Sequence, residues 1–487
     1  MKQILCILLS VLGWTTGMTQ NPYQIKGKVD CENKGIHGVV VSDGKNCVQT
    51  DEQGNYSLDI DNESQFVFIS TPAGYLTEIK ENTIPLFYEP IDRSSDKEYD
   101  FHLKKNPHDD LNHVFFAQAD VQAVSSENLD TYHTFQNDYL EQLAAYPNTD
   151  IFGIDCGDIT GDNAQLFPPY IEAVKTLNIP IYRAIGNHDM DYNGRSFETS
   201  HHSFESYFGP TCYSFNKGKV HYIVINNNFY IVREVYYIGY IDEKTFQWIE
   251  KDLSFLEKGS PLVIVMHIPT RLTEKQQPFQ FDYNTLADQT VNAEAFHQLI
   301  QDHPTHIISG HMHYNLNICY NDRLMEHNTA AICGTWWCSD ICLDGTPRGY
   351  GIYQVNGNQL TWKYKCIGKP DNYQARVYLP GASQEYPQAI IANVWNWDEQ
   401  WKVEWMEDGK VMGEMTQFTA FDPLAEKICN KAVQTYSWIA PVKTNHLFKA
   451  IPKNPQAQIS VKITDRFGHE YLQPAEDFSS TLLQLNK

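Results

Sequence analysis

Short apolar runs recur through the middle of the chain, and each ends in a small polar cluster. Val114–Ala117 leads to Asp120-Val121-Gln122, Ile151–Ile154 to Gly157-Asp158, and Ile181–Ile185 to Gly186-Asn187-His188-Asp189. Leu262–Met266 leads to His267, and Ile307-Ile308 to Gly310-His311-Met312-His313. Runs of this kind read as buried strands. Helical patterns lie between them, at Thr131–Ala144, Tyr170–Leu177, Thr245–Leu256 and Ala293–Gln301. The alternation predicts βαβ units, and so an α/β domain over residues 111–335.

The flanks have a different period. Gln24–Val29 and Gly38–Ser42 alternate as strands do, with turn signals at Asp43-Gly44 and Gln53-Gly54-Asn55. Residues 22–104 are therefore expected to form a small β-sandwich of the immunoglobulin or transthyretin kind. From Trp336 the β pattern returns. Gly351–Val355 and Leu360–Tyr364 flank the turn Asn356-Gly357, and Trp401–Met406 and Val411–Met415 flank Asp408-Gly409. Residues 336–487 are read as a C-terminal β-rich module. A length of 487 residues agrees with several cores.

The N-terminus predicts export. Lys2 precedes the apolar stretch Ile4–Trp14, which is too short to span a bilayer, and small residues follow at Thr15, Gly17 and Thr19. Residues 1–19 read as a signal peptide, so the mature protein is expected to be periplasmic or secreted, with no transmembrane segment. That compartment permits disulfides, and Cys31 with Cys47 is one possible pair. Cys333, Cys338 and Cys342 read as buried free thiols. The formal net charge of -23 argues against a nucleic-acid partner. It leaves room for a small anionic substrate, because a bound cation inverts the local field. Oligomeric state leaves no signature in the sequence.

Ligands at the carboxyl ends of neighbouring strands converge on one crevice of an open sheet. Asp120, Gln122, Asp158, Asn187, His267, His311 and His313 bring carboxylates, amides and imidazoles, with no thiolate. That donor set suits one or two divalent metals. Two cations about 3.5–4 Å apart can hold an attacking hydroxide and neutralise phosphoryl oxygens. Asp158, following a glycine, is the natural bridging carboxylate. His188 can face the substrate as a general acid, with Asp189 or Asp162 to orient its ring. Any one of these clusters alone is as well read as an ordinary turn or a satisfied histidine.

In combination and order, these motifs resemble the calcineurin-like metallophosphoesterase family over about residues 113–320. Thr50–Tyr56 resembles the N-terminal β domain of some bacterial members, and Asp344–Tyr350 the start of their C-terminal domain. The resemblance implies a four-layer α/β/β/α sandwich flanked by the two β modules, with a dinuclear centre. It implies that Asp120, Gln122, Asp158 and His313 hold one metal, and that Asp158, Asn187, His267 and His311 hold the other. His188 would protonate the leaving group or stabilise developing charge.

The expected activity is hydrolysis of phosphate mono- or diesters by an exported metal-dependent phosphatase or phosphodiesterase, a metal-bridging hydroxide attacking phosphorus in line. The metals could be Mn, Mg, Fe, Zn or Ca. The family usually has His where Gln122 stands, and an amide oxygen is a harder, weaker ligand that favours Mg²⁺, Mn²⁺ or Ca²⁺ over Zn²⁺. Tyr192, Arg195 and Trp336 are candidate substrate contacts; Arg195 also reads as solvated loop charge and Trp336 as core packing. His201 and His202 read as rim residues. The alternative is a cell-surface glycan- or protein-binding protein with a weakened metal centre, an idea that Gln122 favours.

Overall fold

A computed structural model describes residues 23–232, 236–274, 280–454 and 456–476. The expected signal peptide lies outside these residues. Among the described residues, no helix is long and apolar enough to cross a membrane.

Two mixed sheets form the centre. The first runs in the order Ile181–Arg183, Asp150–Asp155, Asn112–Gln118, Gly349–Asn356, Gln359–Cys366. Its first three strands are mutually parallel, and the last two close it antiparallel. The second runs Tyr213–Lys217, Val220–Val224, Leu262–Val265, Thr305–Ser309, Leu324–Asn328, Leu316–Asn321, with a parallel centre and antiparallel edges. Both sheets are covered on each side, so their central strands carry runs such as Val114–Ala117 and Leu262–Val265 that are apolar on both faces rather than alternating.

Aromatic rings join the sheets face to face. Phe152 meets Tyr222 edge-on at 5.3 Å, and Phe115 stacks on Phe152 at 5.4 Å. Tyr182 lies flat on Phe215 at 3.7 Å. Ser126–Ala144, capped by the Ser125 hydroxyl, packs Tyr132 and Tyr139 onto the outer face of the first sheet. Glu243–Leu253, capped by Asp242, and Ala293–Ile300 bury Trp248, Ile249, Phe296 and Ile300 with the second. The result is the expected α/β/β/α sandwich, in which Ser125 and Asp242 satisfy the first amides of two of these helices.

The hairpin Gly349–Asn356/Gln359–Cys366 lies in the segment read as the C-terminal module, beyond residue 335, and it extends the first sheet through Asn112–Gln118. Alternation identifies a strand without saying which sheet it joins.

The N-terminal module is a sandwich of a five-stranded and a four-stranded sheet. It docks through Phe87, whose ring lies 4.5 Å from that of Tyr213, and through Thr83, which accepts hydrogen bonds from the buried Arg183 guanidinium. The C-terminal module is an eight-stranded path with the helix Pro423–Ala432. It is locked to the core by Asp344, whose carboxylate receives Asn315 N at 3.1 Å, the Thr346 hydroxyl at 2.6 Å and His446 Nε2 at 2.9 Å. Cys31 and Cys47 are both free thiols, so that pairing is absent. Cys333 and Cys342 are buried as expected, whereas Cys338 is exposed.

Three histidines away from the candidate metal site are kept neutral by burial. His113 and His306 are pushed down to about 4, and His327 well below its ordinary value. In the unfolded chain each titrates near about 6.5. Their folded pKa is depressed, so their contribution to stability is complete above about 6.5 and shrinks as pH falls toward about 4. Thermal melts should give a Tm that is level above about pH 7 and declines from about pH 6.5. A Tm that holds level down to about pH 5 would mean that the fold tolerates these imidazoles charged.

Candidate metal centre

The five polar clusters meet at one end of the sandwich. Backbone hydrogen bonds zip their loops together. Asp120 N donates to Gly157 O at 3.1 Å, Gln122 N to Asp158 O at 2.6 Å, Gly310 N to His267 O at 3.0 Å, and Cys333 N to Asp120 O at 3.0 Å. The turns are tight. Asp120, Gln122, Asp158, His311 and His313 all have left-handed backbones, with φ of +55°, +38°, +51°, +75° and +55°. Such conformations are uncommon outside glycine, and they concentrate where the surrounding structure enforces them for a purpose. Glycines make the room. A Cβ on Gly186 would sit 2.1 Å from Asp158 Oδ1, and one on Gly310 2.8 Å from Asp120 Oδ2.

Asp158, His267 and His311 place one ligand atom each within 4.8 Å of the others. His267 Nε2 is 3.2 Å from Asp158 Oδ2, 3.0 Å from Asn187 Oδ1 and 3.2 Å from His311 Nδ1. His267 Nδ1 is committed to the Cys156 carbonyl at 2.9 Å, which fixes its proton there and turns the Nε2 lone pair inward. His313 Nε2 lies 3.6 Å from Asp120 Oδ1. Gln122 is buried, and its Oε1 has Cys333 Sγ at 3.9 Å.

This is a ring of acceptors facing acceptors. Asp120, Asp158, Asn187, His267 and His313 are each at most 3% exposed, so water cannot relieve the conflict. The proton affinities show the same frustration. Burial pushes the Asp120 carboxyl well above the usual range, and the Asp158 charge adds to this. Burial would raise Asp158 too, but His267 and His188 outweigh it and hold it below its ordinary value. Burial disfavours charge on His267, yet Asp158 drives it up to about 9, while burial and His267 press His311 well below its ordinary value. One buried imidazole is thus made to stand in for a missing positive charge. Divalent cations fit this donor set and resolve all of these conflicts together.

His188 is set apart from the ligands. Its backbone N donates to Asp158 Oδ1 at 2.8 Å, and its Nδ1 meets Asp162 Oδ1 at 2.7 Å. Its side chain is 25% exposed, so the ring borders the cleft. Of the two carboxylates considered as its partner, Asp162 fills the role. Asp189 instead accepts the backbone N–H groups of Ile159, Thr160 and Gly186 and pins the turn. Tyr192 donates to Asn187 O at 2.6 Å, which makes it a brace for that turn. Trp336 stacks on His313 with centroids 4.3 Å apart. Arg195 lines, with His201 and His202, a cleft against the N-terminal module. Tyr237, whose ring lies 6.0 Å from that of His311, had no motif to announce it.

An α/β/β/α sandwich with this carboxylate, amide and imidazole cluster defines a metallophosphoesterase. The chain belongs to the calcineurin-like phosphoesterase family, in the type that carries both additional domains. Residues 100–315 match the calcineurin-like phosphoesterase model, residues 23–106 that of its N-terminal domain, and residues 326–471 that of its C-terminal domain. No curated protein matches by sequence. Among solved structures, the chain is similar to a dimetal phosphatase from Danio rerio (13% identity, TM-score 0.38, covering 53% of this chain and 97% of that one). It is also similar to a purple acid phosphatase from yellow lupin (14% identity, TM-score 0.39, 68% of each chain). A 5'-nucleotidase from Candida albicans is a third (13%, TM-score 0.32, 53% and 51%).

Gly186→Ala tests the packing argument. The added methyl must displace Asp158, and overpacking of this kind costs about 1–3 kcal/mol. Elemental analysis should show metal loss from the purified variant together with a lowered Tm; a variant with the wild-type metal content would contradict the close approach.

Proposed function

We propose that this protein hydrolyses phosphate mono- or diesters with a pair of divalent cations and His188 as proton donor. Asp120, Gln122, Asp158 and His313 would hold one cation, and Asp158, Asn187, His267 and His311 the other. When bound, such cations supply Lewis acidity toward phosphoryl oxygens and lower the pKa of water. The observation that carries the reading is the His188–Asp162 pair beside Asp158. Asp162 accepts the Nδ1 proton and fixes the ring, leaving Nε2–H as the donor toward the ester oxygen as the P–O bond breaks. Asp158 does two jobs in this scheme: its carboxylate is a ligand, and its Oδ1 anchors the His188 backbone.

A binding protein with a relic metal site has no use for an oriented, partly exposed imidazole beside the ligands, so the pair favours a hydrolase over that alternative. Export belongs to the same proposal and rests on Lys2 and the apolar stretch Ile4–Trp14. The substrate on this reading is a small phosphate ester.

His188→Ala should lower kcat about 10²-fold or more for an alkyl phosphate, whose leaving group needs a proton, and much less for p-nitrophenyl phosphate. The bound metal should be unchanged. Equal losses on the two esters would remove the proton-donor role, and full turnover by a metal-free Asp158→Ala variant would remove the whole scheme. Gln122→His should tighten Zn²⁺ binding relative to Mg²⁺ and Mn²⁺ in competition titrations, because imidazole is the softer donor. An unchanged preference would mean that Gln122 is not a ligand.

A further inference from the structure

Trp336 and Trp337 both have left-handed backbones, with φ of +43° and +63°. Bulky residues rarely take this conformation, and it persists only where neighbours enforce it. Here they do. Trp337 Nε1 donates to Val121 O at 3.1 Å, the carbonyl between Asp120 and Gln122, and Trp337 N donates to Cys333 O at 2.7 Å. The Arg348 guanidinium lies 5.5 Å from the Trp337 ring. The strained turn holds Trp336 at 23° to the His313 ring, so an indole forms the edge of one half of the metal cluster.

The C-terminal module extends this edge. Trp336 and Tyr436 pack against the same buried group, Leu343, Cys429, Ala432 and Ile439. The Trp438 ring lies 4.9 Å from that of Tyr436, inclined by 35°, and Trp438 remains 63% exposed. Ile439, at 3%, anchors the segment that presents it. Trp336 sits beside the cluster with one face on His313, and Trp438 carries the open indole face of the same aromatic row through Tyr436; flat π systems stack on such a face whatever their hydrogen-bonding edge.

We propose that Trp336, Tyr436 and Trp438 form a stacking platform for a planar aromatic group on the alcohol side of the ester, a nucleobase or an aryl ring. The proposal rests on the hydrolase reading above and names its substrate class. A single ring suits the strongly acidic chain better than a polyanionic nucleic acid does.

The test uses the full-length, metal-loaded protein with adenosine 5′-monophosphate, p-nitrophenyl phosphate and glycerol 3-phosphate. Trp438→Ala should lower kcat/KM about ten-fold for the two ring-bearing esters, through KM, and leave glycerol 3-phosphate within about two-fold. Trp438→Phe should restore most of the loss. A nucleotide effect without an aryl effect would show that the shared ring is not what is recognised, and equal effects on all three esters, or none, would overturn the platform. If no ester is turned over, the hydrolase reading fails on its own. Equilibrium dialysis with adenosine 5′-monophosphate then decides the platform: binding that Trp438→Ala abolishes supports it, and absent or unaffected binding overturns it.

Discussion

Everything at the functional end of this molecule follows from one electrostatic constraint: buried acceptors are made to face one another. Asp158, Asn187 and His311 converge on His267 Nε2 with separations of 3.0–3.2 Å, and the outer nitrogen of His267 is already committed to a carbonyl. A fold selected only for stability would put a hydrogen-bond donor or an apolar side chain here, since an unpaired buried polar group costs several times what a made hydrogen bond contributes. Asn187 Nδ2, buried and without a hydrogen-bond partner among the described residues, adds to the imbalance. The arrangement is rational only around positive charge.

The backbone supplies the rigidity that this arrangement needs. Self-repelling side chains left on flexible loops would swing apart. The loops are instead joined to each other through main-chain hydrogen bonds, Asp120, Gln122, Asp158, His311 and His313 sit on left-handed backbones, and the chain passes so close at Gly186 and Gly310 that neither has room for a Cβ. Preorganisation of this kind holds the candidate ligands in one geometry, at the expense of local strain. The parallel strands behind the loops make it possible, because all of them deliver their carboxyl ends to the same edge.

Much of this was legible in the residue pattern, for physical reasons that differ from element to element. Strands such as Leu262–Val265 are apolar throughout because both faces are covered, and the strands of the site hand the chain to it within two to four residues. Motif order therefore mapped onto space. The hairpin Gly349–Cys366 shows where local pattern fails: its residues specify a strand pair, while its partner is chosen by a sheet edge more than two hundred positions earlier in the chain, at Asn112–Gln118. The orienting role of Asp162 could not be separated from that of Asp189 in one dimension, since both are carboxylates near His188. The difference lies in the three backbone amides that turn Asp189 inward. Arg195 was a candidate because it follows the Asn-His-Asp turn, but the chain between bends away toward the N-terminal module.

The C-terminal module is part of the site rather than an appendage to it. Leu343 N donates to His313 O at 3.2 Å, and Asp344, fully buried, fixes Asn315 two residues beyond His313. The same carboxylate is held from the module side by His446. The candidate ligand His313, its loop and the module thus share one chain of hydrogen bonds. A central domain cut at the boundary that strand pattern alone proposes would keep every candidate metal ligand in its sequence. It would still lose Leu343, Asp344 and the hairpin that completes the first sheet. The candidate ligands are therefore encoded in one segment of the chain and held in part by another.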